Sequence, residues 1–192
     1  MFEVEMKFRL KDPEQFERKI RDFSGGEFSE PHIEEDLYFQ RLSRDFRETG
    51  EALRIRRIEE ELMITYKGPR RDDLTKMREE IELPLRFNSE EMPADDRKKE
   101  WIRLISRLGC EPFAEVRKSR KTLSFVFEGR SFTVTRDSLA ELGEFTEIET
   151  LVESEADLPA ARGKITGLAA LFELNELVYS SYLTLLLKKR EK

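Results

Sequence analysis

The first ten residues alternate strictly between apolar and charged side chains. One set of alternate positions holds Phe2, Val4, Met6, Phe8 and Leu10, and the other holds Glu3, Glu5, Lys7 and Arg9. Because successive side chains of a strand point to opposite faces, this spacing predicts a β-strand with one apolar and one charged face. Any fold built on this strand must therefore place a fully charged face either in water or in a polar interior.

Similar alternation predicts further strands at 33–41, 52–59, 61–67, 77–86, 113–128, 131–137 and 144–153. A helix is predicted from Pro13, with Asp12 as its cap and Gly25 at its end. Others are expected in the stretch from 88 or 89 that ends before Gly109, and at 158–174 and 178–189. Such an order lacks regular βαβ alternation, and it predicts an α+β fold with a mostly antiparallel sheet in one domain over 1–192.

Composition excludes several classes of protein. Cys110 is the single cysteine, so the chain can form no internal disulfide and no cysteine-based zinc site. No apolar run approaches the roughly 20 residues of a membrane span, and the N-terminus lacks a signal-peptide core. The net charge of −6 argues against a nucleic-acid-binding surface. We therefore predict a cytoplasmic protein, a monomer or homodimer, without membrane or nucleic-acid partners.

The charged strand faces could point outward or inward. Antiparallel sheets usually expose one face to water. If the charged faces point outward in this way, the protein is best interpreted as an interaction or structural domain. However, the predicted helices each carry an apolar stripe that needs a partner surface. Helices packed outside, against the apolar strand faces, would satisfy both and would turn the charged faces into the interior of a closed antiparallel β-barrel. Because buried charge is costly, such an interior indicates a highly charged ligand.

The residues of that predicted interior indicate the ligand. Its cations exceed what a monophosphate needs, which predicts a polyanion bound by Lys7, Arg9, Arg54, Arg56, Lys67, Arg78, Lys118 and Arg120. The acidic side chains there are Glu3, Glu5, Glu80, Glu82, Asp137, Glu147 and Glu149. They would repel a polyanion unless some of them hold Mg²⁺ or Mn²⁺, which bind carboxylates together with phosphates. Glu3 with Glu5, and Glu147 with Glu149, could each offer two ligands because residues two apart share a face.

The sequence resembles the CYTH family, which includes class IV adenylate cyclases and thiamine triphosphatases. Its signature ExExK corresponds to Glu3-Val4-Glu5-Met6-Lys7. Further similar segments follow in the family's order: Asp36-Leu37-Tyr38-Phe39, Ala52-Leu53-Arg54-Ile55-Arg56, Thr65-Tyr66-Lys67-Gly68-Pro69, Arg78-Glu79-Glu80-Ile81-Glu82, Val116 with Lys118 and Arg120, Asp137, Leu142-Gly143, Phe145-Thr146-Glu147-Ile148-Glu149, and Ser181-Tyr182.

The resemblance implies an eight-stranded antiparallel tunnel that binds a triphosphate. It implies that Glu3, Glu5, Glu147 and Glu149 serve metal ions, with help from Glu80, Glu82 and Asp137. The eight cations would bind the triphosphate, and Lys67 would also polarise the reacting phosphoryl group or orient water. The expected activity is either conversion of ATP to cyclic AMP and pyrophosphate, as in an adenylate cyclase, or hydrolysis of thiamine triphosphate or tripolyphosphate. A module that binds polyphosphate or nucleotides without turnover is the alternative.

Overall fold

The computed structural model describes residues 2–69, 79–86 and 92–191. In this part of the chain the predicted α+β fold is present, with an eight-stranded antiparallel sheet. Its strands are β1 (Phe2–Arg9), β2 (His32–Arg41), β3 (Ala52–Ile58), β4 (Glu61–Lys67), β5 (Glu80–Pro84), β6 (Cys110–Phe127), β7 (Arg130–Leu139) and β8 (Gly143–Val152). The helices are α1 (Pro13–Ser24), α2 (Phe46–Thr49), α3 (Ala94–Arg107), α4 (Leu158–Leu171) and α5 (Tyr182–Arg190).

The described residues form two compact units. The first unit contains residues 2–31 and 118–191, and its strand order is β1-β8-β7-β6. The second unit contains residues 32–69, 79–86 and 92–117, and its order is β6-β2-β3-β4-β5. Strand β6 begins in the second unit and ends in the first. A single domain over 1–192 and closure of the strands into a barrel stay predictions.

The apolar face of β1, β7 and β8 forms the core of the first unit. Phe8, Val134 and Ile148 are buried there against Ile20 of α1 and Ile165 of α4. Helix α1 forms where the sequence predicts it, because the Asp12 side chain accepts a hydrogen bond from the Gln15 backbone N–H. It ends where Gly25 adopts a left-handed φ of 68°. The helices of this unit therefore cover the apolar strand face, as the sequence argument expects.

The second unit repeats this arrangement with other residues. Phe39, Ile55 and Leu62 of β2, β3 and β4 are buried with Ile105 of α3 and with Cys110. The single cysteine is thus a small apolar core residue. Because side chains alternate along each strand, Glu34 and Asp36 of β2, Arg54 and Arg56 of β3, and Lys67 of β4 lie on the face opposite this core.

The C-terminal segment differs from the prediction of a helix over 178–189. Residues 176–178 instead run along the edge of β1: the Arg9 N–H donates to the Glu176 carbonyl at 2.9 Å, and the Val178 N–H donates to the Lys7 carbonyl at 2.8 Å. Helix α5 starts only at Tyr182, where the Ser181 side chain accepts a hydrogen bond from the Thr184 N–H. Pairing with a strand edge therefore overrides the helical pattern at 178.

Other element boundaries shift by a few residues. Strand β6 starts at Cys110 rather than Phe113, and the short α2 and a 3₁₀ turn at Glu155–Asp157 were not predicted. The predicted strand over 77–86 is described from residue 79 onward, and the predicted helix start at 88 or 89 lies outside the described residues. Among the helices of the described ranges, none has the length and apolar character that crossing a membrane requires.

Candidate functional site

Three carboxylates meet on the charged face of the first unit. Glu3 and Glu5 alternate on β1, and Glu149 of β8 lies opposite Glu5 in the antiparallel register. One carboxylate oxygen of each residue lies within 4.8 Å of those of the other two. Burial, together with the negative charges of Glu3 and Glu5, raises the pKa of Glu149 to about 7. We call these three residues the carboxylate cluster; its all-oxygen donor set suits a hard divalent cation such as Mg²⁺ or Mn²⁺.

Lys7 lies beyond the carboxylate cluster on the same face of β1. Its ammonium forms an ion pair with Glu147, with Nζ 3.1 Å from Oε1, and both side chains are almost fully buried. Lys7 Nζ also donates to the Ser180 carbonyl at 3.4 Å and lies 3.8 Å from the centre of the Tyr182 ring. The buried ammonium is therefore held by an ion pair, a hydrogen bond and a cation–π contact.

Arg120 joins Glu147 to Asp137. Its Nε and Nη2 donate to the two Asp137 carboxylate oxygens at 2.6 and 2.5 Å, and Nη2 also donates to Glu147 Oε2 at 2.6 Å. Asp137 is fully buried and accepts a third hydrogen bond, from the Tyr182 hydroxyl, at 2.7 Å. We call Lys7, Arg120, Asp137, Glu147 and Tyr182 the Tyr182 network.

The ring of Tyr182 also contacts other groups. It packs edge-on against Phe145, with ring centroids 5.2 Å apart, and Lys118 Nζ lies 5.6 Å from its centre. Burial and the charges of Glu147 and Asp137 raise the pKa of Tyr182, so its hydroxyl stays a neutral donor. Arg9 covers the other aromatic ring, 4.6 Å from the Phe145 centroid, while its Nη1 donates to the Leu142 carbonyl at 2.7 Å.

In the second unit, a buried aspartate holds two of the predicted phosphate-binding arginines. Asp36 of β2 lies opposite Arg56 and beside Arg54 on β3. Arg56 donates to both Asp36 oxygens, at 2.6 and 2.8 Å, and Arg54 Nη1 donates to Oδ2 at 3.0 Å. Glu34 adds a second carboxylate, with Oε2 3.1 Å from Arg56 Nη1. The guanidinium planes are thereby fixed on one face of β3.

Lys67 and its neighbours lie on the same face of the second unit, at the pairing of β4 with β5. Lys67 lies opposite Glu80, and Thr65 lies opposite Glu82. The Lys67 ammonium is 2.8 Å from Glu80 Oε2, and the Thr65 hydroxyl donates to Glu82 Oε1 at 2.9 Å. Arg78, the remaining predicted cation, lies outside the described residues.

The predicted site residues thus fall into separate groups. Glu3, Glu5 and Glu149 form the one carboxylate cluster found among the described residues, and Glu147 and Asp137 instead contact Lys7 and Arg120. Glu80 and Glu82 accompany Lys67 and Thr65 in the second unit.

Sequence reasoning gave no site role to Asp36, Glu34 or Tyr182. For the first two a signal exists, since both alternate along β2 in phase with Tyr38 and lie on the face of Arg54 and Arg56. For Tyr182 the sequence gives no signal of a site role beyond its place in the similar segment Ser181-Tyr182. No periodic pattern links the start of a terminal helix to strands that are far away in sequence.

Known proteins similar to this chain agree in fold and family. The CYTH domain matches residues 1–179. The protein called "Putative adenylate cyclase MJ0240" from Methanocaldococcus jannaschii is 32% identical over 149 residues, which are 78% of this chain and 77% of that protein. "Adenylate cyclase CyaB" from Aeromonas hydrophila is 29% identical over 189 residues, 96% of this chain and 88% of that protein. The PH1819 protein from Pyrococcus horikoshii OT3 is 36% identical in sequence. Its structure matches this one with a TM-score of 0.78, over 97% of this chain and 99% of that chain.

Proposed function

The chain belongs to the CYTH domain family, and from this premise we propose that it is a metal-dependent enzyme acting on a nucleoside or organic triphosphate. One observation carries the proposal: the carboxylate cluster and the buried Lys7 share one face of β1. A metal-phosphate ligand needs both signs of charge side by side, because carboxylates bind the cation while ammonium and guanidinium groups bind the phosphate oxygens.

The fit of a metal ion rests on the geometry of the carboxylate cluster, whose three oxygen ligands lie within 4.8 Å of one another. Three clustered carboxylates repel one another. Burial and this repulsion together raise the pKa of Glu149. A divalent cation held by Glu3, Glu5 and Glu149 would neutralise negative charge on the substrate's phosphate oxygens. Mg²⁺ and Mn²⁺ are the ions proposed, since oxygen ligands suit both.

The lysine and arginine side chains of the site would bind and orient the phosphate chain. In the first unit these are Lys7, Arg9, Lys118 and Arg120, of which Lys7 and Lys118 are almost fully buried. Phosphate oxygens would bind to these groups more strongly than in water, because a buried environment weakens dielectric screening. The contacts of Asp137 and Glu147 support another role, either in addition to metal binding or in place of it. Asp137 holds Arg120 in position, and Glu147 holds Lys7.

The second unit supplies the remaining proposed roles. Arg54 and Arg56 present planar guanidinium groups that can bind phosphate oxygens in pairs, and Asp36 keeps them in position. Lys67 would polarise the reacting phosphoryl group or orient a water molecule, with Glu80 at 2.8 Å holding its ammonium. Roles for Arg78, Glu80 and Glu82 in binding phosphate and metal belong to the same proposal.

Two courses of reaction suit such a site. In hydrolysis, a water oxygen attacks the γ-phosphorus, the bond to the bridging oxygen breaks, and orthophosphate is released. In cyclisation, the ribose 3′-hydroxyl oxygen attacks the α-phosphorus and its proton passes to solvent, while the bond from the α-phosphorus to the bridging oxygen breaks and pyrophosphate leaves. The names of the relatives from Methanocaldococcus jannaschii and Aeromonas hydrophila favour cyclisation. Both courses require charge neutralisation and neither requires a covalent nucleophile.

The products distinguish these activities. The protein is incubated with Mg²⁺ or Mn²⁺ and with ATP, thiamine triphosphate or tripolyphosphate, and the products are separated. Cyclic AMP with pyrophosphate identifies a cyclase, and orthophosphate identifies a triphosphatase. Tight binding of a triphosphate without turnover would identify a binding module instead. If Lys118→Ala and Arg120→Ala leave triphosphate binding unchanged, the charged face is not the binding site.

A further inference from the structure

The C-terminal segment fixes the main chain of β1 at Lys7. The N–H of Arg9 and the carbonyl of Lys7 are both hydrogen-bonded to this segment, through Glu176 and Val178. Leu177 forms an antiparallel bridge with Phe8 between them. The strand edge is therefore paired at the position from which the Lys7 side chain projects.

The same segment brings Tyr182 beneath the Lys7 ammonium. Ser181 caps α5, so Tyr182 is the first residue of the helix, and this residue is only 7% exposed. Lys7 Nζ lies 3.8 Å from the ring centroid, well inside the roughly 6 Å limit of a cation–π contact. The ring is thus a rigid surface that fixes the height of the ammonium above it.

The hydroxyl of Tyr182 acts on a different cation. It donates to Asp137 Oδ2 at 2.7 Å, and the same oxygen accepts from Arg120 Nη2 at 2.5 Å. Arg120 Nη2 in turn donates to Glu147, whose other oxygen is paired with Lys7. Contacts therefore run in a closed circuit from the tyrosine ring through Lys7, Glu147, Arg120 and Asp137 back to the tyrosine hydroxyl.

We propose that Tyr182 is a positioning residue of the triphosphate site, which orients Lys7 through its ring and Arg120 through its hydroxyl and Asp137. This inference rests on the proposed function, since it assigns both cations to the phosphate chain. The terminal helix is then part of the site and does more than cover the strands. The hydrogen bonds of such a network strengthen one another, so loss of one member weakens the hold on the others.

A purely structural role for Tyr182 makes a different prediction from a positioning role. Tyr66 offers a matched comparison, because its hydroxyl also donates to a carboxylate, Glu51 Oε1, at 2.6 Å. Tyr66 lies on the side of β4 opposite Thr65 and Lys67, since side chains alternate along a strand. Removing this hydroxyl takes away a similar bond without reaching a proposed phosphate-binding cation.

The test compares Tyr182→Phe, Tyr182→Leu and Tyr66→Phe with the unaltered protein. Melting temperature, kcat and KM for the best triphosphate substrate are measured, and affinity for tripolyphosphate is measured by calorimetry. We expect Tyr182→Phe to raise KM and weaken tripolyphosphate binding about tenfold, the size of one hydrogen bond to a charged group. Tyr182→Leu, which also removes the ring from Lys7, should weaken binding further, and Tyr66→Phe should lower only the melting temperature.

Each result has one meaning. If Tyr182→Phe keeps KM and affinity while its melting temperature falls as in Tyr66→Phe, the residue is structural and the proposal is wrong. If the unaltered protein turns over no triphosphate but binds tripolyphosphate, the proposed enzymatic function fails, and the calorimetric comparison still decides the role of Tyr182. If the unaltered protein neither binds nor turns over any of ATP, thiamine triphosphate and tripolyphosphate, both proposals are overturned.

Discussion

Glu5 and Glu149 lie directly opposite each other on the antiparallel strands β1 and β8. Like charges in this relation normally destabilise a sheet. Glu3 adds a third carboxylate within 4.8 Å, and the pKa of Glu149 rises to about 7 through burial and these two neighbours. The arrangement is costly without a cation, and a bound divalent cation would offset that repulsion, so metal binding is the property to test first.

Replacing Glu149 by Gln should weaken metal binding strongly. The variant keeps the size of the side chain and removes one of three charged oxygen ligands, so we expect at least a tenfold loss of Mn²⁺ affinity. Calorimetric titration of Mn²⁺ into both proteins measures the effect. Glu153→Gln is the control, since Glu153 is exposed just beyond the end of β8 and outside the carboxylate cluster. Equal losses in the two variants would show that the cluster does not hold the metal.

Metal affinity should depend on pH through Glu149. A carboxyl with a pKa of about 7 is largely protonated below that pH, and it must lose its proton to bind a cation. The Kd for Mn²⁺ should therefore rise by up to about tenfold per pH unit below pH 7 and level off above it, because one proton is displaced. Titrations between pH 5.5 and 8.5 test this, and a Kd that does not change over this range would contradict it. Glu149→Gln should lose this pH dependence.

Loss of the Asp36 charge should destabilise the second unit far more than loss of an exposed aspartate. Asp36 is buried and holds Arg54 and Arg56, whose side chains are only 14% exposed, so Asp36→Asn removes their shared counterion and leaves Glu34 paired with Arg56, a cost of about 3 kcal/mol. Asp95 also accepts a 2.6 Å bond from an arginine, Arg57, but its side chain is 68% exposed. Asp95→Asn should cost less than about 1 kcal/mol. Urea denaturation of both variants measures these differences, and similar costs would refute the role given to Asp36.

Lys67→Met should lower kcat more than it changes KM. If Lys67 stabilises charge that develops on the reacting phosphoryl group, its loss should lower kcat by about 100-fold or more. Lys121→Met provides the control, because Lys121 is also paired with a glutamate, Glu17 at 3.1 Å, yet is not among the proposed site residues. Steady-state kinetics on both variants decide the point. If Lys67→Met keeps the kcat of the unaltered protein, Lys67 takes no part in the catalytic step.

The strands and their faces could be predicted from sequence because alternation alone determines which side chains share a face. Glu5 and Lys7 are two residues apart, so their common face follows from the strand period. The turn at Glu128-Gly129, where φ is 46° and 74°, likewise lies at the break between the predicted strands over 113–128 and 131–137.

Pairing across strands could not be predicted in this way. Which carboxylates meet depends on the register that joins Glu5 to Glu149 and Lys7 to Glu147, and no local pattern encodes that register. The start of α5 was placed too early for a similar reason. The sequence from 178 onward fits a helix, but hydrogen bonds from the edge of β1 hold residues 176–178 extended.

The most direct test of the central claim measures product release from ATP, thiamine triphosphate and tripolyphosphate while Mn²⁺ is titrated, in the unaltered protein and in Glu149→Gln. The proposal predicts that at least one substrate is turned over, that its rate saturates with Mn²⁺, and that Glu149→Gln needs at least tenfold more Mn²⁺ to reach half of its maximal rate. Turnover of none of the three substrates, or turnover with the same Mn²⁺ dependence in both proteins, would contradict it.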